Sequence, residues 1–343
     1  MKRIMHRLIK SKKSKLRLPI FILLIIVLAG FLSYKGFHFL NPTIDEGLIN
    51  GKKGHITGVG EPNPASPDSN IPASTKELST QDQSYVLMDP QTNEILKANN
   101  ADLQRAPAST TKLLTGLVVL QNLHETGLVR VGSEVNVQGS QLGLTPGAEI
   151  TVQALLTALY VYSANDAAAA LAVKTSGSIP AFAEEMNKYA AALGCNNSHF
   201  INPHGMPDPE QYTTANDLAI ISNDFLKNES LMKYVNKGYA QIKWTDSRGM
   251  LRKAEFKNTN RLLGVYPGDE GLKTGTTTEA GQCLVSFVSR ADSELLLVLL
   301  GSKDRYNDTI KLLDEGWTEQ RPGAALRELA KDPQSLISGP GIF

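Results

Sequence analysis

Ser109 and Lys112 are the first two residues in the chain whose types and spacing suit covalent chemistry. They open a predicted helix just after Pro107, and side chains three positions apart on a helix are neighbours. A serine hydroxyl is a weak nucleophile until a base accepts its proton, and Lys112 can be that base if burial or a second cation lowers its pKa. Free backbone N–H groups at the helix start favour a developing oxyanion. The pair therefore predicts a serine nucleophile for acyl transfer.

Ser163 and Asn165 form a second candidate group, in a break between two helical patterns. Ser163 follows Ser109 by 54 residues. At this place Asn165 can accept a hydrogen bond from Lys112 and hold an amide of a substrate. A Ser-x-Asn triplet by itself is more often a turn or a helix cap.

The third candidate group, Lys273–Thr276, lies on a strand-like segment. Lys273 supplies a fixed cation and Thr274 a hydroxyl donor. Gly275 lacks the Cβ atom that would keep a substrate strand away from the backbone. Such a group suits recognition of a carboxylate. For a Lys-Thr-Gly motif that stands alone, however, an exposed strand with a charged end is the more common explanation.

Each motif alone is a weak signal. The chain contains a second Ser-x-x-Lys at Ser230–Lys233, and Lys174–Gly177 resembles the Lys-Thr-Gly motif with a serine inserted. The order of the three groups is more specific, because S-x-x-K, S-D-N and K-T-G are the motifs of penicillin-binding proteins and class A β-lactamases, and Ser163–Asn165 differs from S-D-N in its middle residue.

With these motifs the sequence resembles the serine-type D-alanyl-D-alanine carboxypeptidases, which are low-molecular-mass penicillin-binding proteins of the β-lactamase/transpeptidase-like superfamily. The resemblance covers about residues 84–319. Further stretches that support it are Asn202–Asp208, Asn258–Gly264, Tyr266–Thr276 and Ala280–Leu284.

The resemblance implies a role for each matched position. The implied catalytic residues are Ser109 as the acylated nucleophile, Lys112 as its base and Ser163 as a proton relay. Asn165 is an implied substrate-binding group that also orients Lys112. Lys273 and Thr274 are implied to bind the terminal carboxylate of the substrate. The backbone N–H groups of Thr276 and Ser109 are implied to form an oxyanion hole. The implied substrate is a peptidoglycan stem peptide ending in D-Ala-D-Ala, with β-lactams as acylating inhibitors, and no cofactor or metal is assigned.

Other functions use the same residues. A DD-endopeptidase or transpeptidase would form the same acyl-enzyme, and a catalytically silent, penicillin-sensing wall-binding domain would keep only the recognition. Ala164 stands where class A β-lactamases usually have Asp, and the sequence has no E-x-x-L-N segment for their deacylating glutamate, which argues against efficient β-lactam hydrolysis. For His204 and Asp208 a role in ordering their loop is favoured over contact with the site.

The elements that position these groups are predicted from hydrophobic periodicity. A hairpin at Tyr85–Lys97 opens the domain, and a helix near Tyr306–Trp317 ends it. Helical patterns follow the hairpin at Thr110–Gln121, Thr151–Tyr162, Asn165–Lys174, Ile179–Leu193 and Thr214–Leu226. Strand-like runs then return at Tyr239–Trp244, Gly271–Thr274, Cys283–Ser289 and Glu294–Leu300. The outer segments are predicted to form one antiparallel sheet, with the helical region inserted between them. The predicted fold class is α+β.

The chain before this domain carries targeting signals. Residues 1–17 hold eight Lys and Arg and no acid, and residues 18–34 are an uncharged apolar run. We expect a cytoplasmic basic arm and an uncleaved signal anchor, in preference to a cleaved signal, with the catalytic domain outside a cell membrane. Residues 35–83 are predicted to be a flexible linker, 84–319 the catalytic domain, and 320–343 a loosely ordered tail.

Composition excludes several other classes of protein. The formal net charge of +1 combines the basic arm with a remainder of 27 basic and 34 acidic residues, so nucleic-acid binding by the main domain is not expected. The two cysteines, Cys195 and Cys283, belong to no C-x-x-C pair, and the six histidines form no metal-binding frame.

Overall fold

The computed structural model of the protein describes residues 83–291 and 293–331. The strands are, in chain order, β1 Ser84–Asp89, β2 Glu94–Asn99, β3 Leu128–Arg130, β4 Glu149–Thr151, β5 Tyr239–Thr245, β6 Leu251–Lys257, β7 Asp269–Thr277, β8 Gly281–Arg290 and β9 Ser293–Ser302. The α-helices are α1 Lys112–Asn122, α2 Val152–Thr157, α3 Asn165–Ser176, α4 Ile179–Ala192, α5 Ala215–Leu226, α6 Glu229–Val235 and α7 Arg305–Lys331.

A five-stranded antiparallel sheet joins the two ends of the domain, in the order β2-β1-β9-β8-β7. Strand β1 pairs with β9, where Val86 lies opposite Val298. Along β9, Leu296 and Val298 pack into one hydrophobic cluster while Leu297 and Leu299 pack into another, because successive side chains of a strand point to opposite faces. Both faces of the sheet are therefore covered, which explains the unbroken apolar run in β9 and confirms the predicted joining of the ends.

A second, four-stranded sheet has the order β3-β4-β5-β6. The prediction that all strands share one sheet is therefore wrong for the run Tyr239–Trp244, which forms β5 of this sheet. Three strands of this sheet were not predicted: β3 and β4, which have only three residues each, and β6. Every second residue of β6 is exposed, Lys253 and Glu255 among them, so its apolar content is too low to signal a strand.

Helices α1 to α6 lie between β2 and β5 in sequence, and α1 is buried along most of its length. Its residues from Lys112 to Val119 are all buried. A helix that is covered on all sides belongs to the core of a domain. The segment that bears Ser109 and Lys112 is thus fixed by packing from every direction.

Side-chain caps begin several of the other helices. Thr151, Ser178, Thr214 and Asn228 each accept a hydrogen bond from the backbone N–H three residues further on, as N-cap residues do. The predicted starts at Thr151 and Thr214 are therefore cap positions, one residue before the helices. Helix α6, capped by Asn228, was not predicted.

Helix α7 continues to Lys331, so residues 320–331 of the predicted tail are helical. Pro322 and Gly323 do not end the helix, and residues of high helical propensity, from Ala324 to Lys331, follow them.

The predicted basic arm, the apolar run at 18–34, nearly all of the linker and residues 332–343 lie outside the described residues. Among the described helices, none combines the length and the apolar character needed to cross a membrane.

Candidate active site

Ser109 and Lys112 meet at the start of α1. Ser109 lies in a short 3-10 helix, Ala108–Thr111, that leads directly into α1. The Lys112 side chain is completely buried, and its Nζ lies within hydrogen-bond distance of Ser109 Oγ, 2.8 Å away. The predicted contact between these two residues is confirmed.

Two further oxygens surround the Lys112 amine. Its Nζ lies 2.7 Å from Asn165 Oδ1 and 2.8 Å from the backbone oxygen of His204. A neutral amine has two N–H groups, which match these two acceptors, and one lone pair, which is then left for the hydroxyl of Ser109. The surroundings therefore fit a neutral lysine that accepts a proton.

Burial lowers the pKa of Lys112 well below its ordinary value, and the charge of Lys273 lowers it further. Asp166 opposes the shift, because a negative charge favours the protonated lysine. The net effect moves Lys112 toward the neutral form that a general base requires.

Ser163 and Asn165 lie where two helical segments meet, as predicted. A π-helical turn, Ala158–Tyr162, ends at Ser163, which has a φ of 66°. Such turns are frequent at functional sites. Ser163 Oγ accepts a hydrogen bond from Lys273 Nζ over 2.9 Å, and Asn165 is the first residue of α3.

Lys273 is buried on β7, with 1% of its surface exposed. Besides Ser163, its Nζ contacts the backbone oxygen of Thr274 at 3.0 Å. Burial and the charge of Arg305 lower the pKa of Lys273 to about 7. Thr274 Oγ1 donates to Thr259 Oγ1 over 2.7 Å. A second buried lysine thus contacts Ser163 and lies close enough to Lys112 to lower its pKa.

Gly275 is needed for a reason other than the predicted one. A Cβ atom at this position would lie 2.9 Å from the backbone nitrogen of Ser109 and 3.0 Å from Ala108 Cβ. Glycine therefore allows β7 to pack directly against the 3-10 helix that carries Ser109. The predicted approach of a substrate strand remains a prediction.

Arg305 is a residue of the site region that the sequence analysis missed. It begins α7 and donates from Nη1 to the backbone oxygens of Gly275, at 2.9 Å, and Cys283, at 3.0 Å, and from Nη2 to Thr276 Oγ1. No local motif marks Arg305, because its contacts with Gly275 and Cys283 join residues that are far apart in the sequence.

The loop that contains His204 contributes a backbone oxygen to the site, which was not predicted from its side chains. The site uses the backbone oxygen of His204, whereas the ring Nδ1 accepts from the N–H of Met206. Burial and the nearby Lys112 lower the pKa of His204 to about 3, so the ring is neutral. Asp208 accepts from the N–H of Glu210 in a turn. Both side chains thus order their loop, as favoured.

The repeated motifs lie elsewhere. Lys233 of the second Ser-x-x-Lys forms a partly exposed ion pair with Glu125, 2.7 Å away, and Lys174 lies in the last turn of α3. Within 83–291 and 293–331, no group of three or more His, Cys, Asp or Glu side chains is placed to hold a metal ion.

The α+β fold is like that of a known DD-peptidase. A crystal structure of the Streptomyces K15 DD-transpeptidase superposes with a TM-score of 0.65 at 32% sequence identity, covering 68% of this chain and 96% of that one. The model of the family Peptidase S11, D-alanyl-D-alanine carboxypeptidase, matches residues 71–304. The chain belongs to this family.

Curated relatives agree with this assignment. The D-alanyl-D-alanine carboxypeptidase DacF of Bacillus subtilis is 34% identical over 255 residues, 71% of this chain and 64% of the relative. The carboxypeptidase DacC of Escherichia coli is 35% identical over 251 residues, 68% of this chain and 61% of the relative. The matched part therefore spans less than two thirds of the length of these relatives.

Proposed function

We propose that the protein is a serine-type D-Ala-D-Ala carboxypeptidase that removes the terminal D-alanine from peptidoglycan stem peptides through a Ser109 acyl-enzyme. The observation that carries the proposal is the buried Lys112 amine, 2.8 Å from Ser109 Oγ and 2.7 Å from Asn165 Oδ1. Membership of the carboxypeptidase family supports the choice of substrate.

In the acylation step, neutral Lys112 accepts the proton of the Ser109 hydroxyl while Oγ attacks the carbonyl carbon of the D-Ala-D-Ala bond. The negative charge that develops on the carbonyl oxygen is stabilised by the backbone N–H groups of Ser109 and Thr276. Support comes from Gly275, which brings β7 against the backbone nitrogen of Ser109. The C–N bond then breaks, and the leaving amine receives a proton through Ser163.

The terminal carboxylate of the substrate is received by Lys273 and Thr274. Lys273 is buried, so its attraction to a carboxylate is screened less than that of a surface lysine. Arg305 adds positive charge behind β7, where its Nη1 holds the backbone oxygen of Gly275. This arrangement selects a peptide that ends at the residue beyond the cleaved bond.

Deacylation returns the enzyme to its starting state. A water molecule attacks the acyl carbon and gives a proton to Lys112. The ester C–O bond breaks, and Ser109 Oγ regains its proton. Asn165 holds Lys112 in place through both steps.

A fluorescent β-lactam tests the nucleophile. Wild-type protein is expected to become covalently labelled, with the adduct on the peptide that contains Ser109, and the variant Ser109→Ala is expected to stay unlabelled. Ser230→Ala, in the second Ser-x-x-Lys, is the matched control and keeps the wild-type labelling. Persistent labelling of Ser109→Ala would reject the assigned nucleophile.

A DD-transpeptidase or endopeptidase is the second candidate, favoured by the likeness to a solved structure that is named a DD-transpeptidase. Transfer of the same acyl group to an amine, in place of water, would give this activity. With a pentapeptide substrate, free D-alanine and a tetrapeptide support the carboxypeptidase, whereas cross-linked products support the transpeptidase. Labelling without turnover would identify the silent penicillin sensor.

Residues 18–34 are proposed to anchor the protein in the cell membrane, with residues 1–17 in the cytoplasm and the catalytic domain outside. The uncharged apolar run behind eight basic residues supports this orientation. Mature protein is then expected to keep its N-terminus and to fractionate with membranes. An N-terminus that begins beyond Tyr34 would show that the segment is a cleaved signal.

A further inference from the structure

Asp166, the residue after Asn165, is a buried carboxylate to which the mechanism gives no role. None of its surface is exposed. Its two oxygens accept hydrogen bonds from four backbone N–H groups at 2.9 to 3.0 Å, those of Leu142, Gly143, Leu144 and Ala167. Hydrogen bonds to an ionised acceptor are stronger than neutral ones. Three of the four donors belong to one loop, which we call the 138–144 segment.

The 138–144 segment also holds Asn165 directly. Asn165 Nδ2 donates to the backbone oxygen of Gln138 over 2.6 Å. The backbone N–H of Asn165 donates to the backbone oxygen of Ser140 over 2.7 Å. Between these contacts lies Gly139, with a φ of 84°, where a Cβ atom would approach Asn165 Nδ2 to 2.7 Å. The segment therefore touches the carboxamide closely on the side away from Lys112.

These contacts decide which end of the carboxamide faces Lys112. The backbone oxygen of Gln138 can only accept, so it fixes the NH₂ group of Asn165 on its own side. Oδ1 then points to Lys112 Nζ, 2.7 Å away. With the carboxamide turned round, two donors would meet at the lysine and two acceptors at Gln138. The position of the segment thus governs the hydrogen bond that orients the base.

We propose that Asp166 is a positioning residue, which clamps the 138–144 segment onto the start of α3 and so keeps Asn165 Oδ1 directed at Lys112. The inference rests on the proposed function of Lys112 as the base for Ser109.

Asp166 also acts on Lys112 through its charge. The groups that face the Lys112 amine are Lys273 on β7, the neutral His204 and Asp166 on α3. Lys273 lowers the pKa of Lys112 and Asp166 raises it. Removing the carboxylate charge therefore lowers the pKa of Lys112. The acylation rate falls at acidic pH, where Lys112 becomes protonated, and we call this fall the acidic limb of the pH profile. With a lower pKa of Lys112, the acidic limb lies at a lower pH.

The test compares Asp166→Asn with Asp217→Asn in the full chain. Asp217 is the matched control, since it is another buried carboxylate that holds a loop. Its Oδ2 accepts hydrogen bonds from Asn197 N and Ser198 Oγ at 2.8 and 2.7 Å, and neither partner is a residue of the site. The rate of acylation by a fluorescent β-lactam is measured between pH 5 and 9. For Asp166→Asn we expect a rate about 10- to 100-fold lower at pH 7, as for misplaced catalytic groups, with the acidic limb moved to lower pH.

Each outcome of this test is decisive. A slower Asp166→Asn with a shifted acidic limb, beside an Asp217→Asn with the wild-type limb, supports the inference. An unchanged rate, or a lower rate with the limb in its wild-type place, overturns it. Failure of the wild-type protein to be labelled would reject the proposed function instead, so the two failures are distinguishable.

Gly139→Ala keeps the inference testable if Asp166→Asn does not fold. The new Cβ atom displaces Asn165 while the charge of Asp166 stays, so acylation slows and the acidic limb does not move. An acylation rate of Gly139→Ala equal to that of wild type would overturn the inference, because the position of the 138–144 segment would then not affect Lys112.

Discussion

At the scale of single residues, Lys112 and Lys233 have the same sequence motif and different surroundings. Lys112 is enclosed, and among the described residues its amine makes hydrogen bonds with oxygens of Ser109, Asn165 and His204. Lys233 instead forms an ion pair with Glu125 in a half-exposed position. Burial lowers the pKa of Lys112. We therefore assign the proposed base to the first motif.

Replacing Lys112 by alanine removes the proposed base. We expect the rate of β-lactam acylation to fall about 100- to 10,000-fold, the range that general base catalysis contributes. Stopped-flow labelling of Lys112→Ala measures the loss, and Lys233→Ala is the matched control with the wild-type rate. Equal rates for wild type and Lys112→Ala would show that another group accepts the proton.

The pH dependence of kcat/KM follows from Lys273, which must be protonated to receive a carboxylate. A lysine is charged below its pKa, and the pKa of Lys273 is about 7, so kcat/KM for a pentapeptide is expected to fall as the pH rises above about 7. A bound carboxylate raises the pKa of Lys273. The corresponding fall in kcat is therefore expected at a higher pH than the fall in kcat/KM. Initial rates of D-alanine release give both profiles. A kcat/KM that stays constant to pH 9 would contradict the role of Lys273.

At the scale of elements, the site depends on how closely two segments approach the 3-10 helix. Strand β7 packs against it through Gly275, and the His204 loop through Gly205, whose Cβ atom would lie 1.8 Å from the backbone oxygen of Ala108. Thr115 in α1 binds the same loop, since its Oγ1 donates to the backbone oxygen of Pro203 over 2.6 Å. Small residues and backbone hydrogen bonds thus set the distances between the catalytic groups.

Gly205→Ala is expected to damage both stability and acylation. Its φ of 83° costs an alanine about 1 to 2 kcal/mol, and the overlap with Ala108 adds to that. Gly177→Ala is the control, because Gly177 has nearly the same φ, 82°, and nothing within 4 Å of the added atom. Urea denaturation and labelling rates compare the two variants. Similar losses in both would show that the close approach at Gly205 has no effect.

At the scale of the whole molecule, the two ends of the described chain form one sheet, and the helical region lies between them in sequence. The cluster on one face of that sheet contains Ala108 and Leu113, beside the site, and the cluster on the other face contains Leu297, Leu313 and Trp317. The second cluster contains none of the proposed catalytic or substrate-binding residues, so we expect that stability and activity can be changed separately.

Leu297→Ala tests this separation. Leu297 is fully buried, so its truncation is expected to cost about 2 to 5 kcal/mol and to lower Tm by about 4 to 20 °C, while the folded variant is acylated at the wild-type rate. Thermal unfolding and labelling below Tm measure the two effects. Ile95→Ala, at a residue that is 51% exposed on the edge strand β2, is the control with little change in either. A slower acylation of folded Leu297→Ala would show that the two faces are coupled.

The sequence by itself determined the residue types of the site, the order of its three motifs, the α+β class and the pairing of the outer strands. Those features depend on local periodicity and on residues close together in the chain. Only the tertiary structure decided which Ser-x-x-Lys is buried, why Gly275 must be glycine, and that Arg305 and the backbone of His204 reach the site. It also separated β5 and β6 into a second sheet. These features arise from contacts between residues far apart in sequence, and burial, which sets the pKa values of Lys112 and Lys273, exists only after the chain has packed.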